Sequence, residues 1–177
     1  MRTITTKTDV YQFLELTEEA KQKALENLFD INVDYDWWDH IYADAEEVGL
    51  ILNSFDLGRS QDVDGVFKWG AEECAELIMK NHGKNCETYK TAAGYLIERG
   101  ELVTKYSNGA NTDKVSEGNE YDFDCDCDDL DSNFLYSLLQ DYFSILNTQH
   151  EYLTSEEAII ESIEANEYEF TEDGEIF

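Results

Sequence analysis

Proline is absent from this 177-residue chain, bases are scarce, and no apolar run approaches the length of a membrane span. Composition offers no physical reason for the missing proline. The shortage of bases excludes more. Twelve Lys and Arg stand against 41 Asp and Glu, which gives a formal charge of −29 and a sequence pI of about 4.1. Direct binding to nucleic acid or to an anionic membrane is disfavoured by such a charge. Four cysteines, Cys74, Cys86, Cys125 and Cys127, are too few and too irregularly spaced for a secreted disulfide framework. Met1-Arg2-Thr3 leads into no apolar signal segment, so a reducing cytoplasm is the expected compartment.

Catalytic signatures are missing too. There is no GxSxG, HExxH, P-loop or Gly-rich dinucleotide fingerprint. His40 beside Asp39 and Asp44 is the one polar constellation on an expected helix, and acid-base work would require a third group and a pocket. No enzyme, catalytic residue or cofactor is expected.

What is present argues for a folded chain. Eleven Tyr, nine Phe and three Trp, with 42% hydrophobic residues overall, set it apart from acidic disordered sequences and supply one domain with a core. A domain of this length has a diameter of roughly 40 Å. The charge is unevenly placed: residues 106–177 hold twenty acids and one base, Lys114.

Periodicity predicts an α+β fold, a single compact domain of amphipathic helices on a small antiparallel sheet. Residues 3–16 are rich in β-branched and aromatic side chains and read as one or two strand segments. Thr17 caps a helix to about residue 30, and a second helix from about Asp36 carries Trp38, Ile41, Tyr42, Ala45 and Val48 on one face, with Gly49 as its stop. A strand beginning at Leu50 and the segment Val66-Phe67-Lys68-Trp69 form a hairpin. Helices are expected near 71–82, 87–99 and 132–148, and a last one follows a Thr154/Glu157 capping box. The composition of 106–120 is that of a flexible loop. The tail turns at Asp173-Gly174.

The stretch 121–131, YDFDCDCDDLD, is the densest feature. An EF-hand register fails from both Asp122 and Asp124, because glycine at position 6 and glutamate at position 12 are missing. The run reads as an acidic strand or loop. In a strand Asp122, Asp124, Asp126 and Asp128 face outward while Tyr121, Phe123, Cys125 and Cys127 pack inward. His82 with Cys86, and Cys125 with Cys127, are weakly spaced for zinc, and no metal site is assigned. Adjacent Trp37 and Trp38 would point about 100° apart on a helix. Trp38 shares the apolar stripe, which leaves Trp37 either packed at its edge or serving as an interface anchor.

Two stretches, LTEEAKQKALENLFDINVDYDWWDHIYADAEEVGL with the following FDLGR, and EYLTSEEAIIESIEANEYEFTEDG, resemble a family of small acidic proteins of bacteriophages and mobile elements. The resemblance covers about half the chain and implies an accessory protein made in an infected bacterium, hence in the host cytoplasm. It supplies no catalytic residues. Charge magnitude points the same way, since 29 charges equal those on about 50 Å of duplex DNA. The expected function is therefore inhibition of a host nucleic-acid-binding defence complex, a CRISPR effector or restriction enzyme, by occupying or blocking its basic DNA groove, with DNA mimicry as one way of doing so. The partner-binding residues would be Asp122, Asp124, Asp126, Asp128, Asp129 and Asp131, then Glu156, Glu157, Glu161 and Glu164, with Trp37. A single strand with one aspartate per 6.7 Å or so would be about fourfold sparser than duplex DNA. The alternative is an acidic adaptor or antitoxin-like protein for a basic partner unrelated to DNA.

Overall fold

A computed structural model describes residues 1–3, 7–107 and 120–177. The chain is α+β, with helices and two antiparallel strand pairs among the described residues. It divides into two compact units, Met1–Trp37 with Thr148–Phe177, and Trp38–Asn147.

In the first unit strand β1 (Tyr11–Gln12) pairs antiparallel with β4 (Glu169–Phe170). The strand expected over 3–16 is confined to β1 within the described part, because Phe13–Glu15 wind into a 3-10 turn. That turn carries Phe13 into the core, where its ring meets Phe170 edge-on at 6.2 Å. Thr17 caps α1 (Glu18–Asn27), its hydroxyl accepting from the Ala20 N–H at 3.3 Å. The apolar stripe Ala20, Ala24 and Leu28 then packs with Ile159 and Ile163 of α6 (Glu156–Ala165). The cap of α6 is Ser155, one residue beyond the expected Thr154; its hydroxyl accepts from the Ala158 N–H. Gly174 has φ +82° and lies against the Ala20 carbonyl, leaving no space for a Cβ.

The second unit begins with α2 (Asp39–Glu47), which Gly49 ends at φ +85°. Strands β2 (Leu50–Asp56) and β3 (Asp62–Phe67) form a hairpin, antiparallel with an irregularity between Leu52 and Ser54; the second strand begins at Asp62 rather than at the expected Val66, so Asp64 and Gly65 pair with β2 instead of turning. Gly65 is required there: a Cβ would lie 2.7 Å from the Ile51 carbonyl oxygen and 2.9 Å from Leu139 Cδ2. Helices α3 (Ala71–Asn81), α4 (Glu87–Tyr106) and α5 (Glu120–Leu153) complete the unit, α5 as far as Asn147. Phe134 of α5 stacks between Phe67 and Tyr95, with centroids at 5.6 and 4.4 Å.

The acidic strand or loop expected at 121–131 is corrected: these residues are the first turns of α5. The same sequence satisfies a helical period. Phe123, Cys127, Leu130 and Phe134 recur at i, i+4, i+7 and i+11 and turn inward, whereas Cys125, expected to pack with Cys127, is exposed. Alternation over a few residues separates positions by about 200° on a helix, so Asp122 and Asp126 fall together there as they would on a strand. Of the expected loop near 106–120, residues 108–119 lie outside the described residues.

Candidate functional site

The helical register sorts the aspartates into two rows flanking the buried stripe. Asp122, Asp126 and Asp129 form one at i, i+4 and i+7, and Asp124, Asp128 and Asp131 form the other. Neighbours in such a row have Cβ atoms about 5–6 Å apart. Asp122, Asp124, Asp128 and Asp129 are exposed and make no ion pair among the described residues. The early acids are favoured by the helix N-terminus, while like charges four residues apart oppose helix formation.

Two of the six aspartates are engaged by α4. Asp126 accepts from Lys105 Nζ at 2.8 Å and from Tyr106 Oη at 2.7 Å on the same oxygen. The Lys105 contact first, and then the Tyr106 hydroxyl, hold its carboxyl below the usual range. The Lys105 ammonium also sits 4.6 Å from the Tyr106 ring centroid. Asp131 accepts from Tyr95 Oη at 2.7 Å and from Arg99 Nη1 at 3.4 Å, while Arg99 Nε reaches Glu72 at 3.0 Å. Asp131 is thus half-buried and structural as well as acidic.

The glutamates expected to assist lie in the other unit. Glu156, Glu157, Glu161 and Glu164 are exposed on α6, with Glu157, Glu161 and Glu164 in a third i, i+4, i+7 row. Trp37 is not an exposed anchor. It is only 6% exposed and its ring lies 5.7 Å from that of His150. The correction follows from the start of α2 at Asp39: Trp37 precedes the helix, so the 100° offset does not govern it. Trp38 is half-buried against Phe55 at 5.3 Å.

The sequence sets Asp44 near His40, but His40 is exposed and Asp44 meets residues far along the chain. Tyr142 Oη donates to Asp44 at 2.9 Å, and His82 Nε2 lies 3.6 Å from its other oxygen. His82 Nδ1 is 2.7 Å from the hydroxyl of buried Thr88. His82 first, and then the Tyr142 hydroxyl, keep Asp44 below the ordinary carboxylate range against the opposing effect of burial. His82, Thr88 and Tyr142 are largely enclosed, so this network joins α2, α3, α4 and α5 rather than presenting a nucleophile. No local spacing signals it. Cys74, fully buried, has its thiol pushed up to about 12 by desolvation.

No group of three or more His, Cys, Asp or Glu positioned for a metal ion occurs among the described residues. None of their helices is long and apolar enough to cross a membrane. Set against protein-family models, curated proteins and solved structures, the chain matches none.

Proposed function

We propose that the chain is an acidic inhibitor of a nucleic-acid-binding defence complex of a bacterial host, such as a CRISPR effector or restriction enzyme. It would act as a DNA mimic, setting the acidic turns of α5 into the basic groove that otherwise holds DNA. One observation carries this reading, the helical winding of residues 122–131. Ten residues at 1.5 Å each occupy about 15 Å of axis. The six aspartates therefore recur about every 2.5 Å, against roughly 1.7 Å for the phosphates of duplex DNA. With Asp126 and Asp131 offset by Lys105 and Arg99, the remaining four recur about every 3.8 Å, close to the roughly 3.4 Å of one DNA strand. The extended arrangement would have been far sparser. Support for the phage setting comes from the two resembling stretches, at residues 16–59 and 151–174, alone.

The test is capture of defence effectors on the immobilised chain, with association rates compared for wild type and the Asp122→Asn/Asp124→Asn/Asp128→Asn/Asp129→Asn variant. Electrostatic steering predicts a slower association in the variant and a steep salt dependence in the wild type. Failure to bind any effector across a panel contradicts the proposal.

A further inference from the structure

Between α4 and α5, within the second unit, the surface is indented in a way that acidity alone does not require. Two cavities of about 350 and 680 Å³ share Glu98, Leu130 and Asn133 and so form one groove. Its α4 wall runs from Lys90 to Lys105, about 22 Å of helix. Gly94 opens the narrower part, since a Cβ there would meet nothing within 4 Å. Half-buried Leu102 and Leu130 give the wider part an apolar floor.

The rim is anionic and its own cations are engaged. Lys105 pairs with Asp126 at 2.8 Å and Lys90 with Glu87 at 2.6 Å. Exposed Glu98, Glu101 and Asp129 make no ion pair among the described residues. Lys105 itself shows how a cation is taken at this rim, with its charge on a carboxylate and an aromatic face beside it. We infer that the groove seats an arginine-rich segment of the partner protein, its aliphatic stems on Leu102 and Leu130 and its guanidinium groups on Glu98, Glu101 and Asp129. Arginine suits this site better than lysine because its planar fork binds carboxylates in pairs and is less strongly hydrated, while its stem covers apolar surface. The choice of a basic occupant rests on the function proposed above.

The experiment is a fluorescence-anisotropy titration of a labelled nona-arginine peptide with the full chain, at about 0.15 M salt so that diffuse attraction is screened beyond roughly 8 Å. Two pairs of substitutions remove the same charge: Glu101→Gln/Asp129→Asn at the groove and Asp124→Asn/Asp128→Asn in the other row. Gly94→Trp, and Ser137→Trp from the opposite wall, fill the groove without altering charge. Circular dichroism and melting identify any variant that does not fold. The expected result is a loss of about tenfold for the groove pair, equivalent to about 1.4 kcal/mol, a smaller loss for the other pair, and weakening by whichever Trp variant folds. Equal losses from the two pairs, or undiminished binding by the folded Trp variants, overturn the inference. Groove-specific binding by a chain that competes with DNA on no defence effector would sink the inhibitor reading and leave the groove standing. Competition with DNA that survives both Trp variants would sink the groove alone.

Discussion

Tyr95 and Asp131 are joined by a 2.7 Å hydrogen bond that ties the middle of α4 to the acidic end of α5. Tyr95 is 3% exposed, and burial followed by the Asp131 contact raises its hydroxyl pKa well above the ordinary range. Removing the hydroxyl leaves Asp131 with Arg99 as its remaining partner among the described residues. Tyr95→Phe is expected to destabilise the fold by about 1 kcal/mol, and a double-mutant cycle with Asp131→Asn to give a coupling of similar size. Chemical denaturation of the four proteins checks both; additivity would show that the bond carries no net stability.

Two carboxylates, exposed Asp44 and half-buried Asp141, should titrate with opposite effects on stability. Asp44 is held below its ordinary value of 3.8, so its contribution is present above that value and is lost as pH falls through the lower folded value. Asp141 is raised by desolvation, with the Thr91 hydroxyl opposing at 2.7 Å, so the folded state gains stability as Asp141 takes up its proton. Asp44→Asn should therefore flatten the acid limb of a melting-temperature profile. Asp141→Asn should raise the melting temperature at neutral pH and steepen that limb. Profiles of the three proteins between neutral pH and about pH 3 decide this.

Glycines of the second unit should respond in opposite directions. Gly94→Ala adds a methyl group in open space on a helix and is expected to stabilise by about 0.5–1 kcal/mol. Gly65→Ala places its Cβ 2.7 Å from the Ile51 carbonyl and should lower the melting temperature. Thermal melts of the two variants measure the contrast.

Legibility of the fold tracked the range of the interactions involved. Thr17, Gly49 and the β2–β3 hairpin are local devices, and the helix, its stop and the existence of the strand pair were readable from them, but not the start of β3 at Asp62, because Asp64-Gly65 has turn composition and is held in the strand by pairing with Ser54 and Leu52. At 121–131 the alternating Asp run obeyed two periods at once, and the deciding signal was the continuation of Phe123, Cys127 and Leu130 into Phe134 and Leu138, where alternation ends. The candidate aspartates were visible as residues. Their two rows, and the α4 partners Tyr95, Arg99, Lys105 and Tyr106, were not, because register and cross-helix pairing come from packing. The Asp44–Tyr142 contact spans 98 residues and leaves no local pattern.

Cysteine reactivity tests the helical register directly. Cys86 and Cys125 are exposed, whereas Cys74 and Cys127 are buried and desolvation raises both of their thiols. A thiol reagent should label two sites quickly in the native protein and all four in denaturant, with Cys125→Ser removing one of the fast pair. Slow labelling of Cys125 together with Cys127 would restore the extended arrangement.

The central claim is that the acidic turns of α5 take the place of DNA on a basic protein groove. Its most direct test is displacement: a defence effector captured by the chain is challenged with increasing duplex DNA, and the effector–DNA complex is challenged with the chain. Mutual exclusion is predicted, with the Asp122→Asn/Asp124→Asn/Asp128→Asn/Asp129→Asn variant the weaker competitor. Simultaneous binding of chain and DNA to the same effector would contradict it and favour an acidic adaptor.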